Sequence, residues 1–150
     1  MQYKQNEIVY LSHGKQKFHV QTCYSVLSLL DLMQREQYDD LDIVIYTDQP
    51  QQIPQHPRVH PIKLDDAMLH DWRGPLDYVH RIKLETLRRA TSEIGPPFIY
   101  VDGDTRWLNI PHEPFAALAT ADSKIMTHLC TCISAKVKLQ KNSSRLTFAC

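Results

Sequence analysis

Three short apolar runs constrain this chain most: Ile8 to Leu11 (IVYL), the run within Leu41 to Tyr46 (LDIVIY), and Phe98 to Val101 (FIYV). Each is rich in strand formers, and each stops at punctuation: Ser12-His13-Gly14, Thr47-Asp48-Gln49-Pro50, and Asp102-Gly103-Asp104. The last run, four apolar residues with no alternation, predicts a strand buried on both faces. Between the first two lies a segment of helical period. Val20, Cys23, Val26, Leu27, Leu30 and Met33 fall on one broad face, so a helix is expected over 20–33. Val59 to Leu64 (VHPIKL) is a weaker strand, and its Pro61 suits an edge.

A second helix is expected to open at Gly74-Pro75, with Pro in the first turn, and to end at Gly95-Pro96-Pro97. Leu76, Val79, Lys83, Leu87, Ala90 and Ile94 mark its inner face, Lys83 being the polar exception. The order strand–helix–strand–strand–helix–strand predicts an α/β fold with a mostly parallel sheet. In such sheets ligands sit beyond the carboxyl ends of the strands. That rule directs attention to Ser12-His13, Thr47-Asp48 and Asp102-Gly103-Asp104.

Composition narrows the function classes. With 17 basic and 17 acidic residues the chain carries no formal net charge, which argues against a nucleic-acid partner held by a broad basic face. No apolar run approaches the roughly 18 residues of a membrane span, and the opening MQYKQNEIVYLSHG lacks the pattern of a secretory signal. A cytoplasmic setting is the expectation. All nine prolines and all four glycines precede position 115. Residues 121–150 hold five basic groups against one acid, whereas the first 120 hold 12 against 16. Two regions are therefore expected, an organised part over 1–118 and an atypical tail over 119–150.

Asp-x-Asp occurs twice, at Asp40-Leu41-Asp42 and Asp102-Gly103-Asp104, where 12 aspartates in 150 residues predict about one by chance. Position separates the copies. The first precedes its strand, whereas the second directly follows FIYV, at the edge where ligands bind. Two carboxylates around a small residue can aim oxygens at one point, and Gly103 permits close backbone approach. Such oxygens suit Mg²⁺ or Mn²⁺ shared with substrate phosphates. A plain Asp-Gly turn at a strand end is the competing reading.

IVYLSHG, QTCYSVLSLL, IVIYTDQP, DYVHRIKLETLRRA and FIYVDGDTRWL together resemble the first half of a GT-A-fold nucleotide-sugar glycosyltransferase of the glycogenin and bacterial galactosyltransferase type. The resemblance covers about residues 7–118. It implies a Rossmann-like, mostly parallel sheet flanked by helices, and a nucleotide-sugar-binding half over 1–118. It implies that Asp102 and Asp104 bind a divalent metal, Mn²⁺ or Mg²⁺, with Asp102 also near the ribose. Arg81, within Tyr78-Val79-His80-Arg81-Ile82-Lys83, would reach the nucleotide-sugar; its other reading is an ion pair with Glu85 one turn on. Ser12 and His13 stand at the first strand end, where the family places base and ribose contacts, and Asp48 at the second would contribute to substrate binding, with ordinary loop roles as the alternative for all three. The implied reaction is glycosyl transfer from a nucleoside diphosphate sugar to an acceptor hydroxyl on a sugar, lipid or protein.

The family continues well past this strand, often with a late His in the metal shell, whereas 46 residues follow Asp104 here. The expectation is a glycosyltransferase-like protein, with a truncated, non-catalytic homologue that retains the fold, or only nucleotide binding, as the alternative. Other classes fit less well. Haloacid-dehalogenase phosphatases place Thr two residues beyond the second Asp, where this chain has Arg106. His128-Leu129-Cys130-Thr131-Cys132 lacks zinc-site spacing, and neither a Gly-x-Ser-x-Gly elbow nor a P-loop occurs.

Overall fold

The computed structural model describes residues 6–95 and 97–119. Strand β1 (Glu7–Ser12) turns at Gly14 into helix α1 (Gln16–Arg35), and β2 (Asp42–Thr47) follows. A 3₁₀ turn at Pro50–Gln52 leads to β3 (Val59–Lys63), then to α2 (Asp66–Arg73), α3 (Val79–Glu93) and β4 (Ile99–Val101). The strands form one parallel sheet in the order β3-β2-β1-β4, flanked by helices. This is the α/β architecture that the strand–helix alternation predicts. The chain divides into two compact units at Ile110/Pro111, and α4 (His112–Ala119) opens the second. The predicted tail over 119–150, with its His128 to Cys132 cluster, lies outside the described residues except for Ala119. No helix among the described residues is long and apolar enough to cross a membrane.

Strand position explains burial. β1 and β2 are central, and nearly every residue in them is buried. Val9 pairs with Val44 on one side and Tyr100 on the other. β3 is an edge strand, where Pro61 removes no sheet hydrogen bond that an inner strand would need. FIYV departs from expectation. β4 pairs with β1 alone among the described strands, and its residues are only partly buried.

The two sheet faces take different partners. Val9, Val44 and Tyr46 join Leu69, Ile82 and Ala90 in one apolar cluster, so α2 and α3 cover that face. Tyr10 and Ser12, of opposite parity, meet α1 through Ser25 and His19. This contact rotates α1 away from its most apolar face. His19, Thr22, Ser25, Val26, Leu29, Leu32 and Met33 are buried, while Val20 and Leu27, expected inside, are more than half exposed. Tyr10 explains the shift: its buried hydroxyl meets Ser25 Oγ at 2.9 Å and accepts from Trp107 Nε1 at 2.6 Å. A polar group buried without partners costs more than an exposed valine. Burial pushes the Tyr10 phenol up to about 12, with the Ser25 and Trp107 hydrogen bonds acting in the opposite direction.

The helix expected from Gly74-Pro75 starts later. The Asp65 carboxylate accepts from Met68 N at 2.8 Å and caps α2, which ends at Gly74 with φ +66°. Pro75 therefore lies in the turn between two helices, and Leu76 is 88% exposed. The buried line of α3 is Ile82, Thr86 and Ala90, at the one-turn spacing of a narrow face.

Candidate functional site

β1 is the point where the strand order reverses. The chain runs outward from it to β2 and β3, then returns to place β4 on its other side. α1 covers one face of the sheet and α3 the other, and a crevice opens between them beyond the carboxyl ends of β1 and β4. A cleft of about 300 Å³ occupies this place. Its walls come from Leu11 in β1 and His13 just beyond it, Phe18 and Thr22 on α1, Val79 and Lys83 on α3, and Tyr100 with Asp102 to Asp104.

Strand alternation positions the side chains. Tyr100 belongs to the α2/α3 side of the sheet, and Asp102, two residues on, meets α3: Lys83 Nζ lies 2.6 Å from Asp102 Oδ1. The same ammonium sits 5.4 Å from the Tyr100 ring centre. Burial raises the Tyr100 phenol far above its usual value, and the adjacent Asp102 carboxylate adds to the shift. Gly103 falls on the opposite side, against α1. A Cβ there would lie 2.3 Å from Thr22 Oγ1, so glycine is required by close packing of the protein on itself. The expected approach at Gly103 is made by Thr22, whose hydroxyl also donates to Phe18 O at 3.0 Å.

Four of the predicted site residues divide cleanly. Asp102, Asp104 and His13 line the cleft, and Ser12 does not. Ser12 Oγ is fully buried, 2.9 Å from His19 Nδ1. On its other ring nitrogen, His19 lies 3.2 Å from Asp48 Oδ1, without the alignment of a hydrogen bond. The second Asp48 oxygen accepts from Gly14 N at 2.9 Å. Ser12, His19 and Asp48 thus tie the ends of β1 and β2 to the start of α1. The trio has the composition of a hydrolase triad, but with Ser12 at 0% exposure it braces the turn that carries His13 and offers no nucleophile to a substrate. Burial lowers the His13 imidazole below its ordinary value; Asp48 opposes that shift, and Arg73 and His19 add to it.

Arg81 lines no part of the cleft. It lies over Gly74, where a Cβ would meet Nη1 at 2.0 Å, and its Nε is 3.6 Å from Glu85 Oε1. Helix geometry gives the reason: residues two apart on α3 point about 200° apart, so with Lys83 facing the cleft Arg81 faces away. The residues the sequence reading passed over are Lys83, seen there as a polar interruption of an apolar face, and His19 and Thr22. The available signal was the register of Lys83 two positions beyond Arg81.

The donor set allows a restricted form of metal binding. Asp102 and Asp104 present hard oxygen donors to one cleft, which suits Mg²⁺ or Mn²⁺. Among the described residues, however, no group of three or more His, Cys, Asp or Glu could hold a metal ion. A dication held by this pair would need water and ligand oxygens to complete its shell, since the described residues form no closed protein cage. Comparison with known proteins adds no identification: no family model, curated protein or solved structure matches the chain.

Proposed function

We propose that the cleft receives a nucleoside diphosphate sugar and that the chain is a GT-A-like domain acting in glycosyl transfer to an acceptor hydroxyl. The observation that carries this reading is the position of Asp102 and Asp104, both lining one cleft where the strand order reverses. Asp102 and Asp104 would hold Mn²⁺ or Mg²⁺, which when bound supplies positive charge against the departing diphosphate. Lys83 adds an ammonium at the same rim. Leu11 and Phe18 offer apolar contact for a base or sugar ring, and His13, its imidazole biased to the neutral form by burial, offers a hydrogen bond without a charge. Ser12 and Asp48 support this reading indirectly, by holding the His13 turn.

The test is thermal stabilisation of the chain by uridine and guanosine diphosphate, each with and without Mn²⁺. A ligand at 100 times its Kd adds about 2.7 kcal/mol. Stabilisation is expected only with Mn²⁺, and Asp102→Asn or Asp104→Asn abolishes it while leaving the circular dichroism spectrum unchanged. Titration curves identical to wild type in both variants would sink the site. Binding without transfer of the glycosyl group would identify the non-catalytic homologue.

A further inference from the structure

The cleft brings three formally charged side chains together: Lys83, Asp102 and Asp104. Two are acids and one is a base, so a diphosphate entering alone meets a rim of its own sign. Lys83 already occupies one of the two acids, at 2.6 Å from Asp102 Oδ1. A dication needs that same oxygen.

We infer that Lys83 and a divalent cation compete for Asp102, and that Lys83, on yielding Asp102, turns its ammonium to a phosphate of the incoming diphosphate. This deepens the nucleotide reading above and rests on it. The geometry permits the exchange. An ammonium is a compact charge with three donors on a flexible stem, so it can change partners without moving its helix. The Tyr100 ring, 5.4 Å away, gives Lys83 a second seat inside the cleft once Asp102 is released. At 34% side-chain exposure for Lys83 and 58% for Asp102, the exchange disturbs little packing.

The consequence is a reversal of sign. With Lys83 alone the two acids outnumber the base, whereas with a dication added the positive charges outnumber the negative. Cation and diphosphate then assist each other's binding, and the coupling is reciprocal.

The experiment uses the full chain and two probes, Mn²⁺ followed by electron paramagnetic resonance and uridine or guanosine diphosphate followed by calorimetry. Lys83→Met is expected to bind Mn²⁺ roughly tenfold more tightly than wild type without nucleotide, a size typical of coupled sites. In saturating Mn²⁺ the same variant binds the diphosphate more weakly than wild type. Lys83→Gln, which keeps a polar side chain, repeats both shifts and guards against a packing artefact at Met. If both variants take Mn²⁺ no more tightly than wild type while wild type binds the diphosphate with Mn²⁺, this inference falls and the nucleotide reading stands. If wild type binds neither diphosphate in the presence of Mn²⁺, both fall.

Discussion

Asp40-Leu41-Asp42 and Asp102-Gly103-Asp104 are one pattern at opposite ends of one sheet, and the protein treats them oppositely. In the first, Leu41 is fully buried, and Asp42 begins β2 with 5% exposure. Asp42 Oδ1 lies 3.3 Å from His60 Nε2 and 3.7 Å from Arg58 Nη1, and the Asp40 carbonyl accepts from Asn6 Nδ2 at 3.1 Å. Asp42 is absorbed into the structure, while Asp40 keeps an exposed side chain beside Asn6. In the second copy both acids are exposed and line a cleft, while the middle residue has no side chain because α1 passes over it. The spacing of the acids is identical. What differs is the strand end they occupy and the residue between them.

The largest way to break the contrast is to give the first copy the sequence of the second. Leu41→Gly removes a fully buried side chain and adds the flexibility of glycine. It is expected to cost about 4 kcal/mol, read as a fall in urea midpoint with unchanged slope. A loss below about 1 kcal/mol would mean that Leu41 is not core.

The buried acids at this strand end, Glu7 and Asp42, also carry a pH signature. Glu7 pairs in register with Asp42, and burial, then Asp42, then Asp40, raise its carboxyl to about 7. The folded protein therefore binds more protons than the unfolded chain between the unfolded value of 4.5 and about 7. Stability contributed by this group is full below pH 4.5 and is lost as pH rises toward 7, by on the order of 1–3 kcal/mol. Glu7→Gln is expected to flatten that slope in urea titrations between pH 5 and 7. A slope unchanged by the substitution would assign the effect elsewhere.

At the open end, Gly103→Ala tests whether α1 dictates the glycine. The added methyl meets the buried, β-branched Thr22, whose χ1 has little freedom on a helix. A loss of about 1–3 kcal/mol is expected, with Thr22→Ala in the same chain restoring most of it. Equal and additive losses in single and double variants would show that the two residues do not collide.

These contrasts bear on how far the sequence could be read. The order of the four strands, the parallel sheet and the edge position of β3 were legible because short apolar runs and Pro61 are local signals. The inner face of α1 was not. Apolar periodicity favours Val20 and Leu27, but Tyr10 and Ser12 on β1 demand Ser25 and His19, a requirement visible only once the two elements meet. Helix α2 (Asp66–Arg73) was not legible at all, because Gly74-Pro75 looks like the start of a helix where Gly74 ends one. At the cleft, the places of Asp102, Asp104 and His13 were legible from the strand-end rule. Lys83 was obscured by Arg81, whose chemistry is the more specific, since only helix phase decides which of the two faces the sheet edge.

The smallest expected effect is the most discriminating. Asp102→Asn and Asp104→Asn, without ligand, should change stability by less than about 0.5 kcal/mol, because the Lys83–Asp102 pair lies at a solvated rim where such pairs contribute little. Urea unfolding of both variants beside wild type measures it. An acid that forms part of the framework, as the buried Asp42 does between Arg58 and His60, leaves half-buried partners uncompensated when its charge is removed. A loss near 2 kcal/mol in Asp102→Asn would place Asp102 in that class and make Lys83 a structural partner. A null change in stability, together with loss of Mn²⁺-dependent nucleotide binding in the same variant, separates an acid kept for a ligand from one kept for the fold.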